Sequence, residues 1–280
     1  GDKIWLCLPN SPYFVFAYYA ALKVGATVVN FNPLYTTSEL LYQAQDAQIK
    51  LMFCIDVTNI AQKVEMLVDE VKSLEKVVLC PLSDILPQPQ KTLYQLFKRK
   101  DIFHPPQSAS NSSRFAFVPF SFLLTHGDKV WPVDINPTQD VALVQYTGGT
   151  TGKPKGALLT HCNISSNAEQ IKQWLGPTDP DGERFMAVIP FFHVFANSAI
   201  LNLGIATSSE IILLPRFDLK QCLQTINRTK VTIFPAVPTL FGAMCRYEKI
   251  DKYDLSSIRY CISGGAALPA DIREQFEALT

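Results

Sequence analysis

Apolar positions in this chain alternate between two rhythms. "NSPYFVFAYYAALKVGA" has the spacing of a helix: Asn10 or Ser11 can cap its start, Pro12 sits near the first turn, and Gly25 follows its end. The β-branched run "TVVNFN" comes next, then "TTSELLYQAQDA", where Thr36 and Glu39 stand at capping-box spacing. "KLMFCI" reads as a strand, "IAQKVEMLVDEVKSL" as a helix and "KVVLC" as a strand. Strand and helix take turns, so the pattern predicts a parallel α/β sheet.

From Pro81 to Pro137 that regularity fails. "PQPQ" and "HPPQSASNSS" mark turns, and one short helix is expected around Lys91 to Lys100. Within this excursion the apolar run Phe115 to Leu124 is far short of the roughly 20 residues that cross a bilayer, and Pro119 interrupts it. The plain reading is that it packs back on the core; the sharper one is a patch for lipid or an apolar substrate. Alternation then resumes with "MAVIP", "EIILL", "VTIF" and "IRYCIS" as strands and "DLKQCLQTINRT" and "VPTLFGAMCRY" as helices. The expected organisation is a first α/β subdomain over residues 1–80, an irregular connection over 81–139 and a second α/β subdomain over 140–280. The fold class is α/β, with two stacked parallel-type sheets and flanking helices.

Composition adds limits. The 280 residues are 48 % hydrophobic and 18 % charged, enough to bury a large core. The 25 basic residues balance 25 acidic ones, which leaves no global field to collect nucleic acid. Seven scattered cysteines without C-x-x-C spacing suit a reducing, cytoplasmic setting. The chain opens on Gly1, and the helical pattern "LPADIREQFEALT" runs to Thr280 without a stop signal, so a piece of a longer polypeptide is expected.

The densest chemistry lies in "VALVQYTGGTTGKPKGALLTH", Val141 to His161. It is not a Walker A loop, because Thr147 stands where the first glycine belongs and Pro154 follows the Gly152-Lys153 pair. No glycine triplet has dinucleotide-fingerprint spacing either. The parts of a phosphate cradle are nevertheless present. Gly148, Gly149 and Gly152 free backbone N–H groups, Thr147, Thr150 and Thr151 add hydroxyls, and Lys155 adds charge. Flanking strand patterns predict a hairpin loop, not a helix N-terminus. A plain turn needs no such set of three threonines and two lysines in nine residues.

"YTGGTTGKPKG" closely resembles the phosphate-loop motif of the adenylate-forming enzymes, the superfamily of acyl-CoA synthetases, luciferases and peptide-synthetase adenylation domains. "VVNFNPLYTTSEL", "PFFHVFA" and "YCISGGAALP" are similar to further family motifs in the same order, so the resemblance covers essentially the whole chain. Within the family, the Thr-Gly-Gly form of the loop and "NFNPLYT" look most like bacterial long-chain fatty-acid–CoA ligases. The resemblance implies that ATP and a carboxylate form an acyl-adenylate, from which coenzyme A displaces AMP. It assigns Thr147, Thr150, Thr151 and Lys155 to the phosphates, with Mg²⁺ as metal and Thr147 as a ligand to it. It puts His193 between the acid's carboxylate and the nucleotide, and Gly264, Gly265 and Ala266 along the adenine and acyl chain. Ala196 departs from the glycine many relatives carry.

By the same resemblance Lys155, Thr151 and His193 are the catalytic candidates. Fatty acid, ATP and CoA are the implied partners, with peripheral contact at the inner face of a membrane left open. His104, His126 and His161 lack metal-ligand spacing, and no G-x-S-x-G supports a serine hydrolase. The family's later glutamate motif, ribose contact and C-terminal lysine domain are missing from these 280 residues, so the chain alone is expected to be inactive. The runner-up inside the class is an aryl or medium-chain acid ligase. From another class the rival is a non-catalytic nucleotide- or lipid-binding relative.

Overall fold

A computed structural model describes residues 1–105, 116–125, 132–147, 154–176 and 182–280. Contacts divide the chain into two compact units, 1–161 and 162–280.

The first unit is built on a sheet of seven strands among the described residues: β1 (Lys3–Cys7), β2 (Thr27–Asn30), β3 (Leu51–Ile55), β4 (Lys76–Cys80), β5 (Ala116–Pro119), β6 (Val141–Thr147) and β7 (Lys155–Thr160). Their order is β5-β4-β3-β1-β2-β6-β7; all pairs are parallel except β6 with β7. The cap signals hold. Ser11 Oγ accepts from the Phe14 amide, Pro12 opens helix Pro12–Lys23, and Gly25 takes φ +73° beyond its end. Phe14, Ala17, Tyr18 and Ala21 recur at i, i+3, i+4 and i+7 and are the buried face of that helix. Thr36 and Glu39 form the predicted capping box of helix Thr37–Ala47. Helix Thr58–Val68 stops six residues before the expected Leu74; a turn then carries buried Val71 and Leu74 back toward β4.

The stretch expected to be irregular supplies an edge strand. β5 pairs in parallel with β4, and Pro119, which lacks an N–H, is tolerated at a sheet edge. Phe117 lies 6.1 Å from Phe103, and Phe120 lies 4.7 Å from Tyr13, so this run packs back on the sheet. Leu124 of helix Phe120–Thr125 stays exposed. No helix among the described residues is long and apolar enough to cross a membrane.

The glycine-rich hairpin also belongs here. β6 pairs with β2, Val28 opposite Leu143, so the loop is carried by the first sheet and not by a second subdomain starting at residue 140. A strand is assigned by its hydrogen-bond partner, which sequence distance does not reveal.

The second unit holds a four-stranded parallel sheet of β8 (Arg184–Ala187), β9 (Glu210–Leu213), β10 (Ile233–Ala236) and β11 (Tyr260–Ser263), in the order β11-β10-β8-β9. Phe234 of β10, Phe241 and Phe276 pack ring to ring at 4.9 to 6.2 Å and fasten helices Pro238–Cys245 and Ala270–Glu277. Glu183, with a buried carboxylate, accepts from the Thr232 hydroxyl and from Arg259 at 3.2 Å.

Candidate functional site

In the first unit, Thr147 and Lys155 face each other across the base of the β6–β7 hairpin. The Thr147 hydroxyl lies 3.5 Å from the Lys155 carbonyl oxygen, and both residues are exposed. The connection is therefore a strand-to-strand hairpin, as the flanking patterns predict. Gly148, Gly149, Thr150, Thr151 and Gly152 lie outside the described residues.

The hairpin's base is anchored from beneath. Tyr146, one residue before Thr147, is buried; its hydroxyl donates to the Asp46 carboxylate and lies 3.4 Å from the Gln43 carbonyl. Burial, reinforced by the Asp46 carboxylate, pushes the phenol well above its ordinary pKa, so it remains a proton donor. Directly opposite, a Cβ on Gly156 would lie 2.7 Å from Val144 Cγ1 and 3.3 Å from Tyr146 Cζ. The sequence reading missed this arrangement. Its one signal was a glycine inside a strand pattern, which marks close approach.

In the second unit His193 and Gly265 line one cavity, and Gly264 packs against Phe195 of the same lining. His193 follows the tight turn Pro190–His193, where its N–H donates to the Pro190 carbonyl at 3.0 Å. It precedes a helical segment over 194–206, largely buried from Ala196 to Gly204, that contains a π turn at Asn197–Asn202. Asn202 Nδ2 donates to the Asn197 backbone and side-chain oxygens at 2.8 and 2.9 Å, satisfying groups that the wide turn would strand. An apolar cavity of 520 Å³ opens beside this segment. Val188, Pro190, His193, Phe195, Val237 and Gly265 are among the residues that line it.

His193 keeps part of its surface in solvent, but desolvation lowers its pKa below the usual histidine value. The imidazole is thus neutral near neutral pH. Gly264 touches the cavity indirectly: a Cβ there would fall 2.8 Å from the Phe195 ring. Gly265 needs its freedom for φ +84°. Ala266 follows as an exposed residue of the same turn. Among the described residues no three His, Cys, Asp or Glu side chains gather into a metal-ligating group.

A Gly-Thr-Lys-rich connection between two antiparallel strands, at the edge of an otherwise parallel sheet, separates this chain from P-loop and dinucleotide-binding proteins, where the loop leads into a helix. The class is an α/β fold whose first unit carries this connection on a hairpin and whose second unit holds an apolar cavity. The chain belongs to the AMP-binding enzyme family, whose pattern it matches over residues 1–280. It is 37 % identical to a long-chain-fatty-acid–CoA ligase of Bacillus subtilis, covering 100 % of this chain and 49 % of that protein. It is 30 % identical to 4-coumarate–CoA ligase 1 of Petroselinum crispum, covering 99 % of this chain and 45 % of that one. In fold it is similar to the anthranilate CoA ligase AuaEII, solved with anthranoyl-AMP, at TM-score 0.81 and 21 % identity, covering 100 % of this chain and 48 % of the ligase. The chain spans about half the length of the curated relatives it matches.

Proposed function

We propose that this chain is the ATP- and acid-binding half of an AMP-forming long-chain fatty-acid–CoA ligase. The observation that carries the reading is the apolar 520 Å³ cavity with one neutral imidazole, His193, in its wall. Such a lining accepts an alkyl chain and offers a single polar group for the carboxylate end. The 37 % identity to the Bacillus ligase supports the same substrate class.

In this reading the hairpin grips the nucleotide. Attack of a carboxylate on the α-phosphorus, which expels pyrophosphate and leaves the acyl-adenylate, brings two anions together, so cations and donors must be positioned before the reaction. Lys155 supplies the charge, and Thr147, Thr150 and Thr151 supply hydroxyls. Thr147 offers an oxygen of the hard type that Mg²⁺ accepts, so the residue fits that ion, whose role when bound is to neutralise phosphate charge. Gly264, Gly265 and Ala266 form a wall low enough for a flat base or a linear chain. The acyl-adenylate then passes its acyl group to the CoA thiol, with AMP leaving.

The discriminating experiment uses the full-length protein and measures kcat/KM for saturated acids of increasing length, with coumarate and benzoate alongside. Each methylene entering the cavity contributes roughly 0.8 kcal/mol, about fourfold, until the cavity is full. A maximum at palmitate or stearate supports the proposal. The plant relative favours one second reading, an aryl acid ligase, and a maximum at coumarate would select it.

A further inference from the structure

We propose that Tyr146 is a positioning residue: its phenol, tied to Asp46 and Gln43, fixes the point where the glycine–threonine hairpin leaves the first sheet and so sets the affinity for ATP. This rests on the ATP-binding reading above.

The hairpin needs an anchor. Among the described residues β7 is the outermost strand of the sheet, with β6 as its neighbour, so the hydrogen bonds of the described ladder hold it from a single side. Along β6 the buried residues end at Tyr146, and the next residue, Thr147, is exposed. The Tyr146 side chain is thus the last buried anchor of the strand before the loop begins.

Three contacts fix it. The ring meets Phe31 edge-on at 5.3 Å, and Phe31 lies 4.6 Å from Trp5, so the aromatic chain reaches back to the central strand β1. The hydroxyl reaches helix Thr37–Ala47 through Asp46 and the Gln43 carbonyl. The ring also lies over Gly156, whose backbone has no positive φ to explain the glycine. The missing side chain is what lets an aromatic ring cross to the edge strand. Tyr146 therefore touches the strands on both sides of the loop. A shift of its ring moves Thr147 and Lys155, the paired residues at the loop's two ends.

A phenol that merely filled space would do so equally well without its oxygen. The assay is ATP binding at equilibrium by the full-length protein, together with amide hydrogen exchange over residues 144–157. Tyr146→Phe removes the hydroxyl alone, Asp46→Ala removes its acceptor, and Asp46→Asn keeps a carbonyl oxygen in place. The first two are expected to weaken ATP binding about tenfold and to speed exchange in the hairpin, with the KM for the acid unchanged. Asp46→Asn should stay within about twofold of the parent, and the double variant Tyr146→Phe/Asp46→Ala should be no weaker than either single one. Unchanged ATP affinity in Tyr146→Phe, even with a lowered Tm, overturns the proposal and leaves the phenol a structural part. A parent protein that binds no ATP defeats the functional reading instead. Exchange in the hairpin then decides the anchor on its own: unchanged protection in both variants overturns it.

Discussion

Gly264 offers a sharp test of the cavity. A Cβ at this position would lie 2.8 Å from Cε2 and Cζ of Phe195 and 2.9 Å from Cε1. Carbon atoms rest at about 3.5 to 4.0 Å, so Gly264→Ala forces the ring back by roughly 0.7 to 1 Å. In a closed core such overpacking costs about 1 to 3 kcal/mol. Here Phe195 borders an open cavity, and Gly264 has no positive φ, so the ring can swing inward without backbone strain. The cost is transferred to the ligand. Losing room for one or two methylenes lowers kcat/KM for palmitate by about fourfold to fifteenfold, while octanoate, which fills less of the space, stays within about twofold. The assay is AMP release by the full-length protein with each acid, alongside a thermal melt. Adding Phe195→Leu to Gly264→Ala should restore palmitate. An equal loss for both acids would refute the argument, since it would mean that the glycine serves the nucleotide and not the chain.

In the full-length protein, Lys155→Ala and Thr151→Ala are each expected to slow acyl-AMP formation by about 2 to 4 kcal/mol in single-turnover experiments; parent rates in both would remove the loop from the mechanism. Arg259→Ala strips the cation from the buried Glu183 carboxylate and should cost about 3 kcal/mol by denaturant unfolding, at the low end for a broken buried pair because the Thr232 hydroxyl remains. A loss below about 1 kcal/mol would show that the pair behaves as a surface one. Asp56 is buried, and desolvation raises its pKa even though its Oδ1 accepts from the Leu82 amide at 2.7 Å. The folded state then holds this proton to higher pH than the unfolded chain, so the group's contribution falls as pH rises through the folded pKa. Asp56→Asn keeps the acceptor, and its Tm advantage over the parent should widen from about pH 4 to pH 7; a gap that narrows contradicts the assignment.

The alternation of elements was legible because caps and periodicity are local. Ser11, the Thr36–Glu39 box and Asp218, which caps Leu219–Thr229 by accepting from the Gln221 amide at 2.8 Å, sit within one turn of what they satisfy. Helix His161–Leu175 is less legible: although Ile164, Ala168, Ile171 and Leu175 recur at helical spacing, Ala168 alone among them is buried, so its apolar stripe marks no strong core face. β5 was hidden for the opposite reason. Its apolar run announces burial, but pairing with β4 joins residues about 40 positions apart, as in Lys76 with Ala116. The site divides the same way. Thr147, Lys155 and His193 were named from motifs, whereas the Tyr146–Asp46 contact spans 100 positions and the cover of Gly264 by Phe195 spans two separate motifs. Those pairings exist in space and not in spacing.

The central proposal is that the full-length protein, of which this chain supplies the ATP- and acid-binding half, activates a long-chain acid through its adenylate. The direct measurement is exchange of labelled pyrophosphate into ATP by the full-length protein, with and without palmitate and in the absence of CoA. The account predicts exchange that depends on palmitate and is lost in Lys155→Ala. Exchange that ignores the acid, or consumption of ATP that yields ADP and no AMP, would contradict it.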